Sequence, residues 1–276
     1  MIKDIVVNLA LGDGREVIAE FAVSAAVTLD AHVTGVAFVY EPSIPPVEMA
    51  VVPADILEAQ RVENERLATQ AVARFEETAR RNAVSFETRR IDDSMASAPE
   101  TLARIARRFD LSIVAQPHPD GPGIDDLFVE SALFSSGRPV LIVPYIQRSP
   151  LSLDRVLVCW DGSRTAARAT ADALPLLARA RTVEVVTVTG PSHRDEEIPG
   201  IDFAQHLARH GIRVELKRIV QGDIDIASAI LSHAADVSAD LIVMGGYGHS
   251  RWREFVLGGA TRGLLKSMTV PTLMSH

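Results

Sequence analysis

The stretch that decides the fold is residues 239–248, ADLIVMGGYG, near the C-terminus. Its first part, residues 239–244, is a short apolar run after a polar start, which is the pattern of a β-strand buried on both faces. The following residues 261–268 predict a helix that ends before Pro271, because proline cannot continue a helix. The glycines are therefore predicted to lie on a loop that leaves a parallel strand and leads into a helix N-terminus.

The glycine spacing in this loop, Gly245-x2-Gly248-x9-Gly258, is typical of a loop that binds phosphate. Glycine permits positive φ and lets a ligand approach the main chain closely. The free N–H groups of the first helical turn, together with the helix dipole, then favour an anion. A tight strand-to-helix connection without any ligand fits the same glycines, so both interpretations stay open at this point.

Composition and charge limit the class of protein. The chain has 276 residues, of which 47% are hydrophobic and 23% charged, as in a soluble globular protein with room for two cores. The net charge of −8 gives no overall basic surface for nucleic acid. The single cysteine, Cys159, cannot form an intramolecular disulfide, and neither a signal peptide nor an apolar segment of about 20 residues is apparent. We therefore predict a cytoplasmic protein with no membrane or nucleic-acid partner.

Strands and helices alternate along the chain, and the series occurs twice. The predicted strands are residues 4–9, 32–40, 85–91, 112–115 and 139–143, and then 154–160, 182–188, 213–220, 241–244 and 270–274. The predicted helices are residues 16–29, 54–82, 99–109 and 125–135, and then 164–178, 201–210, 224–235 and 261–268.

Short segments of the two series also match in sequence. Residues 110–114 parallel 240–243, and residues 138–141 parallel 270–273, which indicates an internal duplication. This order predicts an α/β fold of two tandem, doubly wound domains, 1–147 and 152–276, that face each other. Each domain is expected to be a five-stranded parallel sheet with ligands at the carboxyl ends of its strands.

The sequence resembles the universal stress proteins of the tandem two-domain kind, over nearly the whole chain and most strongly in the second half. Three motifs carry the resemblance: residues 158–163 (VCWDGS), the pair Gly222-Asp223, and the glycine loop. The resemblance implies a Rossmann-like fold of the adenine-nucleotide alpha-hydrolase-like type. It also implies ATP lying across the strand ends of the second half.

By this resemblance, Asp161 faces the adenosine, Val188 lines the adenine pocket, and the three loop glycines hold the phosphates. The complete set of predicted nucleotide-binding residues is Asp161, Gly162, Ser163, Val188, Gly222, Met244, Gly245, Gly248, His249, Ser250, Arg251, Gly258, Gly259, Ala260 and Thr261. ATP, with Mg²⁺ as a further candidate, is the implied cofactor, and neither a catalytic nor a metal-ligating residue is predicted.

One position departs from the family pattern. There the last glycine of the loop is followed by Ser or Thr, whose hydroxyl bonds a phosphate, whereas this chain has Gly259. Thr261 or Ser250 is available to supply a hydroxyl instead, and Arg251 or Arg253 to supply positive charge. The backbone part of the phosphate site is unaffected.

Three features near the loop have competing interpretations. Asp161-Gly162-Ser163 also fits a helix cap, in which Asp161 or Ser163 accepts N–H bonds of the next helix, and both roles can hold at once. His249 is interpreted as a solvated or phosphate-proximal group rather than a catalytic one. Trp252 and Phe255 are interpreted as sealing the loop onto its domain, with contact to a ligand as the alternative.

The first half has the architecture of the second without its chemistry. In place of residues 245–248 (GGYG) it has residues 116–119 (QPHP), whose prolines remove N–H donors and fix the backbone. Aligning the final strands puts Asp125 and Asp126 at the places of Leu257 and Gly258, where carboxylates would repel phosphate. We predict that the first half does not bind nucleotide and packs on the second as a pseudo-dimer partner.

The predicted function is a stress-response protein that binds ATP or a related adenine nucleotide in its second half and acts as a regulatory or binding module. No Gly-x4-Gly-Lys-Ser/Thr loop and no pair of carboxylates for two metals occurs in the sequence, so at most slow ATP hydrolysis is expected. Two alternatives remain: a nucleotide-free interaction scaffold and a nucleotidyl-transferring enzyme. The final strand of each half is expected at a sheet edge, available to join the halves as a pseudo-dimer or two copies as a homodimer. A protein partner of unknown identity is also expected.

Overall fold

The structure, a computed structural model, describes residues 1–12, 17–41, 53–117, 123–189, 200–220, 222, 224–246 and 259–276. In the first half, the elements of this described part are β1 (Asp4–Asn8), α1 (Val17–Leu29), β2 (His32–Tyr40), α2 (Ala54–Arg81), β3 (Phe86–Asp93), α3 (Ala98–Ala106), β4 (Leu111–Ala115), α4 (Ile124–Ser135) and β5 (Val140–Val143). In the second half they are β6 (Arg155–Cys159), α5 (Arg164–Leu177), β7 (Thr182–Thr189), α6 (Ile201–Arg209), β8 (Val214–Val220), α7 (Ile226–Asp236), β9 (Leu241–Gly245), α8 (Gly259–Ser267) and β10 (Thr272–Ser275).

All ten of the described strands belong to one sheet, in the order β3-β2-β1-β4-β5-β10-β9-β6-β7-β8. Within each half the strands are parallel, and the chain adds strands first on one side of the initial strand and then on the other. Helical crossovers between parallel strands produce this doubly wound arrangement. The predicted fold class is thereby confirmed for both halves.

The two halves meet edge to edge. β5 and β10 pair antiparallel, with Leu141 opposite Leu273, so the two parallel sheets continue into one another. The prediction that the halves face each other was therefore wrong, whereas the prediction that the final strands are edges able to pair is confirmed. Within the described strands this pairing uses both edges, and β3 and β8 become the outer strands. A homodimer stays a prediction.

The helices cover both faces of the sheet and bury two hydrophobic cores. Helices α1, α2, α5 and α6 pack on one face, around residues such as Phe75 and Leu176. Helices α3, α4, α7 and α8 pack on the other, around residues such as Phe128 and Leu264. Equivalent helices of the two halves therefore share a face of the sheet. Because β5 and β10 are antiparallel, the strands of the two halves run in opposite directions, and their carboxyl ends lie at opposite ends of the sheet.

The bounds of two elements differ from the predicted ones in ways that affect the site. Helix α8 begins at Gly259 rather than Thr261, so both Gly259 and Ala260 are helical. Strand β6 ends at Cys159, which leaves Trp160 and Asp161 on the turn that follows. In the part of the chain that the structure describes, no helix combines the length and apolar character needed to cross a bilayer.

Candidate functional site

The predicted site lies where the strand order of the second half reverses, between β6 and β9. These two strands are hydrogen-bonded neighbours, although five other elements lie between β6 and β9 in the chain. In doubly wound sheets, ligands bind outside the carboxyl ends of the strands at such a switch point, because the two adjoining loops diverge to opposite faces there. The predicted residues Asp161 and Gly245 follow β6 and end β9, respectively, at this point.

The Asp161-Gly162-Ser163 segment forms a turn that caps α5. The carboxylate Oδ1 of Asp161 accepts a hydrogen bond of 2.9 Å from the N–H of Ser163, and Gly162 adopts φ +76°, which favours glycine. Ser163 is the N-cap of α5, where its Oγ accepts a 3.1 Å hydrogen bond from the N–H of Ala166. The helix-cap interpretation is therefore confirmed for Ser163. Asp161 itself is exposed and holds the turn in front of the helix.

Gly245 is the point where β9 touches the first turn of α5. A Cβ built on Gly245 would lie 2.5 Å from the backbone N of Ala166 and 2.6 Å from Oγ1 of Thr165. The absence of a side chain thus lets the end of the strand and the helix N-terminus approach each other directly. The glycine is required by this packing whether or not a ligand binds, because a backbone atom cannot move aside as a side chain can.

Three side chains at the strand ends share the α7/α8 face of the sheet. Met244 of β9 is buried there, and Cys159 of β6 and Val188 of β7 are partly buried against the same core. Val188 and Met244 were predicted to line the site, whereas Cys159 was not. The strand alternation could have placed it, since Cys159 lies two residues after Leu157, which belongs to this core. Trp160 lies on the opposite face, with its ring 3.7 Å from that of Phe203.

Desolvation of the thiol by the surrounding core controls the chemistry of Cys159, although part of the residue is exposed. Desolvation, with a smaller contribution from the negative charge of Asp161, raises the pKa of the thiol to about 12. The thiolate is the nucleophilic form, so this cysteine is expected to be inert near neutral pH.

We predict that iodoacetamide alkylates Cys159 at pH 8.5 roughly three orders of magnitude more slowly than a thiol of ordinary pKa, since only about one molecule in 3,000 is ionised. Between pH 7.5 and 10 the rate should rise about tenfold per pH unit without a plateau. The same protein unfolded in urea is the control, and its rate should level off above pH 9. A plateau near pH 8.5 in the folded protein would contradict the raised pKa.

The helix after the glycine loop carries the last three predicted residues. Gly259, Ala260 and Thr261 form the first turn of α8, where Thr261 is buried and Ala260 partly buried. Helix α8 packs closely on α7, because a Cβ on Gly263 would lie 3.0 Å from that of Ala227. The amino end of α8 therefore lies on the same face as Met244 and Val188.

The remaining predicted residues are outside this cluster or outside the described residues. Gly222 follows β8 and is exposed. The residues outside the described part of the chain are Gly248, His249, Ser250, Arg251 and Gly258. Among the residues that the structure does describe, no group of three or more His, Cys, Asp or Glu side chains is placed to hold a metal ion.

In the first half, the positions equivalent to Cys159 and Val188 are buried. Asn8 is the last residue of β1, and Cys159 is the last residue of β6. Asn8 pairs with Val36, which lies two residues before Phe38, and Cys159 pairs with Val186, which lies two residues before Val188. Asn8 is 3% exposed and Phe38 1% exposed, whereas Cys159 and Val188 remain partly exposed. The ring of Phe38 packs on that of Phe128, with 5.5 Å between their centroids.

Phe128 has its own counterpart in the second half. The alignment of residues 138–141 with 270–273 has an offset that places Ala260 at the position of Phe128. The two rings that fill this region in the first half are thus a valine and an alanine in the second.

The start of the first-half loop also differs from its predicted alignment. Gln116 donates its backbone N–H to Val143 at the end of β5, just as Gly246 donates to Ser275 at the end of β10. Gln116 therefore corresponds to Gly246, not to Gly245 as the sequence alignment implied. Farther along, the carboxylate of Asp126 accepts a 2.8 Å hydrogen bond from the N–H of Gly123. The carboxylate of Asp126, in the first turn of α4, thus accepts the backbone N–H of the N-cap residue Gly123.

The comparison with known proteins agrees with this arrangement of strands and loops. The sequence model of the universal stress protein family matches residues 152–276, which include β6 to β10 and the whole candidate site. The second half of the chain is therefore a universal stress protein domain.

Similar proteins extend this finding to the fold of the whole chain. Universal stress protein Slr1230 from Synechocystis is 27% identical over 151 residues, which are 52% of this chain and 49% of that protein, about half its length. A universal stress protein from Archaeoglobus fulgidus has a solved structure that covers 99% of this chain and 95% of its own, with a TM-score of 0.70 at 14% identity. A functionally unknown protein from Pseudomonas aeruginosa covers 99% and 92%, with a TM-score of 0.64 at 15% identity. At these identities the likeness shows a shared fold over both halves of the chain.

Proposed function

We propose that the second half binds an adenine nucleotide at the carboxyl ends of β6, β7 and β9 and acts as a nucleotide-dependent regulatory or binding module. The proposal takes residues 1–147 as a degenerate domain and residues 152–276 as the binding domain. ATP is the preferred ligand, with Mg²⁺ held by its phosphates.

The observation that carries the proposal is the contrast between the two halves. Phe38 and Phe128 pack their rings together at the carboxyl end of the first half. At the same positions the second half has Val188 and Ala260, both partly exposed. The flat face of an aromatic adenine ring is the kind of group that such a surface accepts, because ligand sites are lined mainly by apolar side chains with a few polar groups at the rim.

The polar groups required for the rest of the nucleotide lie beside this surface. Asp161 is exposed on the turn after β6, and in this proposal its carboxylate accepts hydrogen bonds from ribose hydroxyls. The amino ends of α5 and α8 adjoin the ends of β6 and β9, and the positive ends of their dipoles favour phosphate. By family resemblance, the loop residues of the predicted set complete the phosphate site, with Gly248 and Gly258 as backbone donors.

The test of this function is nucleotide content and binding. The freshly purified protein should release adenine nucleotide on denaturation, and the stripped protein should bind about one ATP per chain in a calorimetric titration, because the first-half positions are filled. Absence of both copurified nucleotide and heat at millimolar ATP would reject the proposal and favour the interaction scaffold.

Two substitutions of Asp161 distinguish its role in the turn from a contact with the nucleotide. Asp161→Ala should weaken ATP binding about tenfold, the size of one hydrogen bond to a charged group. Asp161→Asn retains an acceptor for the N–H of Ser163 and should keep the thermal stability of the wild type, yet still weaken ATP binding. If both variants bind ATP as the wild type does in calorimetry, Asp161 serves the turn alone.

A further inference from the structure

Helix α8 physically joins the carboxyl ends of the two halves. Its amino end at Gly259 follows the glycine loop of the second half, and its last residues reach the first half. A helix of nine residues is about 13 Å long, and it transmits a displacement of one end to the other because it is rigid. The position of the phosphate-facing end is therefore set in part by whatever holds the opposite end.

Gln116 of the first half holds that opposite end. Its Nε2 donates a 2.9 Å hydrogen bond to the carbonyl of Leu265 and lies 3.5 Å from the carbonyl of Lys266. Its Oε1 accepts a 3.2 Å hydrogen bond from the backbone N–H of Tyr145. The residue is only 3% exposed. These carbonyls belong to the last turn of α8, where no intrahelical donor is available, so the amide of Gln116 serves as a C-terminal cap supplied by the other half.

Gly246, the residue that follows β9 at the start of the glycine loop, also contacts the first half. A Cβ on Gly246 would lie 2.7 Å from Cδ2 of Leu133, so the backbone of Gly246 rests directly on α4. The Nδ1 of His276 lies 3.1 Å from the carbonyl O of Gly246, and the His276 ring packs edge-on against Phe134, with 4.9 Å between centroids. First-half side chains therefore contact or support both ends of the segment that runs from β9 through the loop to the end of α8.

We propose that the degenerate first half is a structural component of the nucleotide site, and that Gln116 is the residue that positions α8 for phosphate binding. This inference rests on the proposed function, since it concerns how the same site is held. Gln116 touches no nucleotide. It acts through α8, whose amino end supplies the phosphate-facing N–H groups.

The chemistry of the amide explains why glutamine suits this position. Its Nε2 is a donor that the helix carbonyls need, and its neutrality avoids placing a negative charge at the negative end of the helix dipole. Glutamate has nearly the same shape, but it has no donor and would face carbonyl oxygens. Methionine preserves the volume and removes both hydrogen bonds. The two substitutions therefore disturb the end of α8 without opening a large cavity.

The experiment compares binding of ATP and of adenosine to the full chain. Gln116→Met and Gln116→Glu should each lower ATP affinity about 5- to 10-fold in calorimetry, the range that one hydrogen bond provides. Adenosine affinity should stay within about twofold of wild type, because adenosine lacks the phosphates that α8 serves. Gln147→Met is the matched control, since the partly exposed Gln147 donates a similar 2.8 Å hydrogen bond to the carbonyl of Ser149 rather than to α8. Unchanged ATP affinity, or an equal loss of adenosine affinity, would overturn the positioning role.

A second measurement separates this inference from the proposed function. Without any nucleotide, the amides of residues 259–267 should exchange with deuterium at least about threefold faster in Gln116→Met than in wild type, whereas α7 should be unchanged. Faster exchange in a protein that does not bind ATP would reject the nucleotide site while keeping the hold of Gln116 on α8. Unaltered exchange would reject the hold itself.

Discussion

Gly245→Ala is expected to lower the free energy of unfolding by about 3 kcal/mol, the upper range for overpacking a close-packed interior. The new methyl carbon would lie 2.5 Å from the backbone N of Ala166. Because that atom belongs to the first turn of α5, relief requires the helix to move away from β9 or the strand end to shift. Either movement breaks packing at the centre of the second half, so the effect should appear in chemical unfolding followed by circular dichroism.

Alanine substitutions at two other glycines provide the comparison for this prediction. A Cβ on Gly246 meets the flexible side chain of Leu133, so Gly246→Ala should cost about 1 kcal/mol. A Cβ on Gly222 has no atom within 4 Å, so Gly222→Ala should leave stability unchanged. The expected order of destabilisation is thus Gly245, then Gly246, then Gly222. An alanine at position 245 that is as stable as the one at position 222 would show that α5 and β9 do not approach each other as described.

The double variant Val188→Phe/Ala260→Phe is expected to weaken adenine nucleotide binding by about 100-fold or more, equivalent to about 2.7 kcal/mol. It introduces into the second half the two rings that fill the same positions in the first. Since Phe38 and Phe128 pack there with 5.5 Å between ring centroids, the pair should fit the fold and occupy the adenine surface. The measurement is calorimetric titration of ATP and of adenosine, both of which should lose affinity.

The control for this variant is Val188→Ile, which adds one methyl group and should change the affinity only slightly. Thermal unfolding should show the double variant within a few degrees of the wild type, because the added rings gain contacts with the α7/α8 core. Wild-type affinity in a folded double variant would place the base elsewhere on the protein. It would also remove the main support for the proposed function.

The sequence was sufficient to predict the fold because its signals are local. Residues 241–244 form a short, uninterrupted apolar run followed by glycines, which is the pattern of a strand buried on both faces, and the repeat of that pattern at 111–114 indicated the duplication. The cap at Ser163 was predictable for the same reason, as a side-chain oxygen three residues before the N–H that it accepts.

The parts of the site that were missed depend on contacts between distant segments. Gln116 is 149 residues from Leu265 in sequence, and no local pattern links a glutamine after one strand to the end of a helix in the other half. The sequence alignment also placed Gln116 one residue out of register, because only the hydrogen bonds to the final strands define its counterpart. In the sequence, Phe38 and Phe128 cannot be distinguished from ordinary core residues. Only the structure shows that they occupy the positions that Val188 and Ala260 occupy in the second half.

The antiparallel pairing of β5 with β10 has a consequence for how a two-site protein can change. In a homodimer joined through identical strands, every substitution occurs in both subunits, so a side chain that closes one site closes the other. Joining the two sheets within one chain removes that constraint, and the association of the halves no longer depends on protein concentration. One half is then free to fill its interior with aromatic rings and serve as a rigid support, while the other keeps an accessible surface for a small molecule.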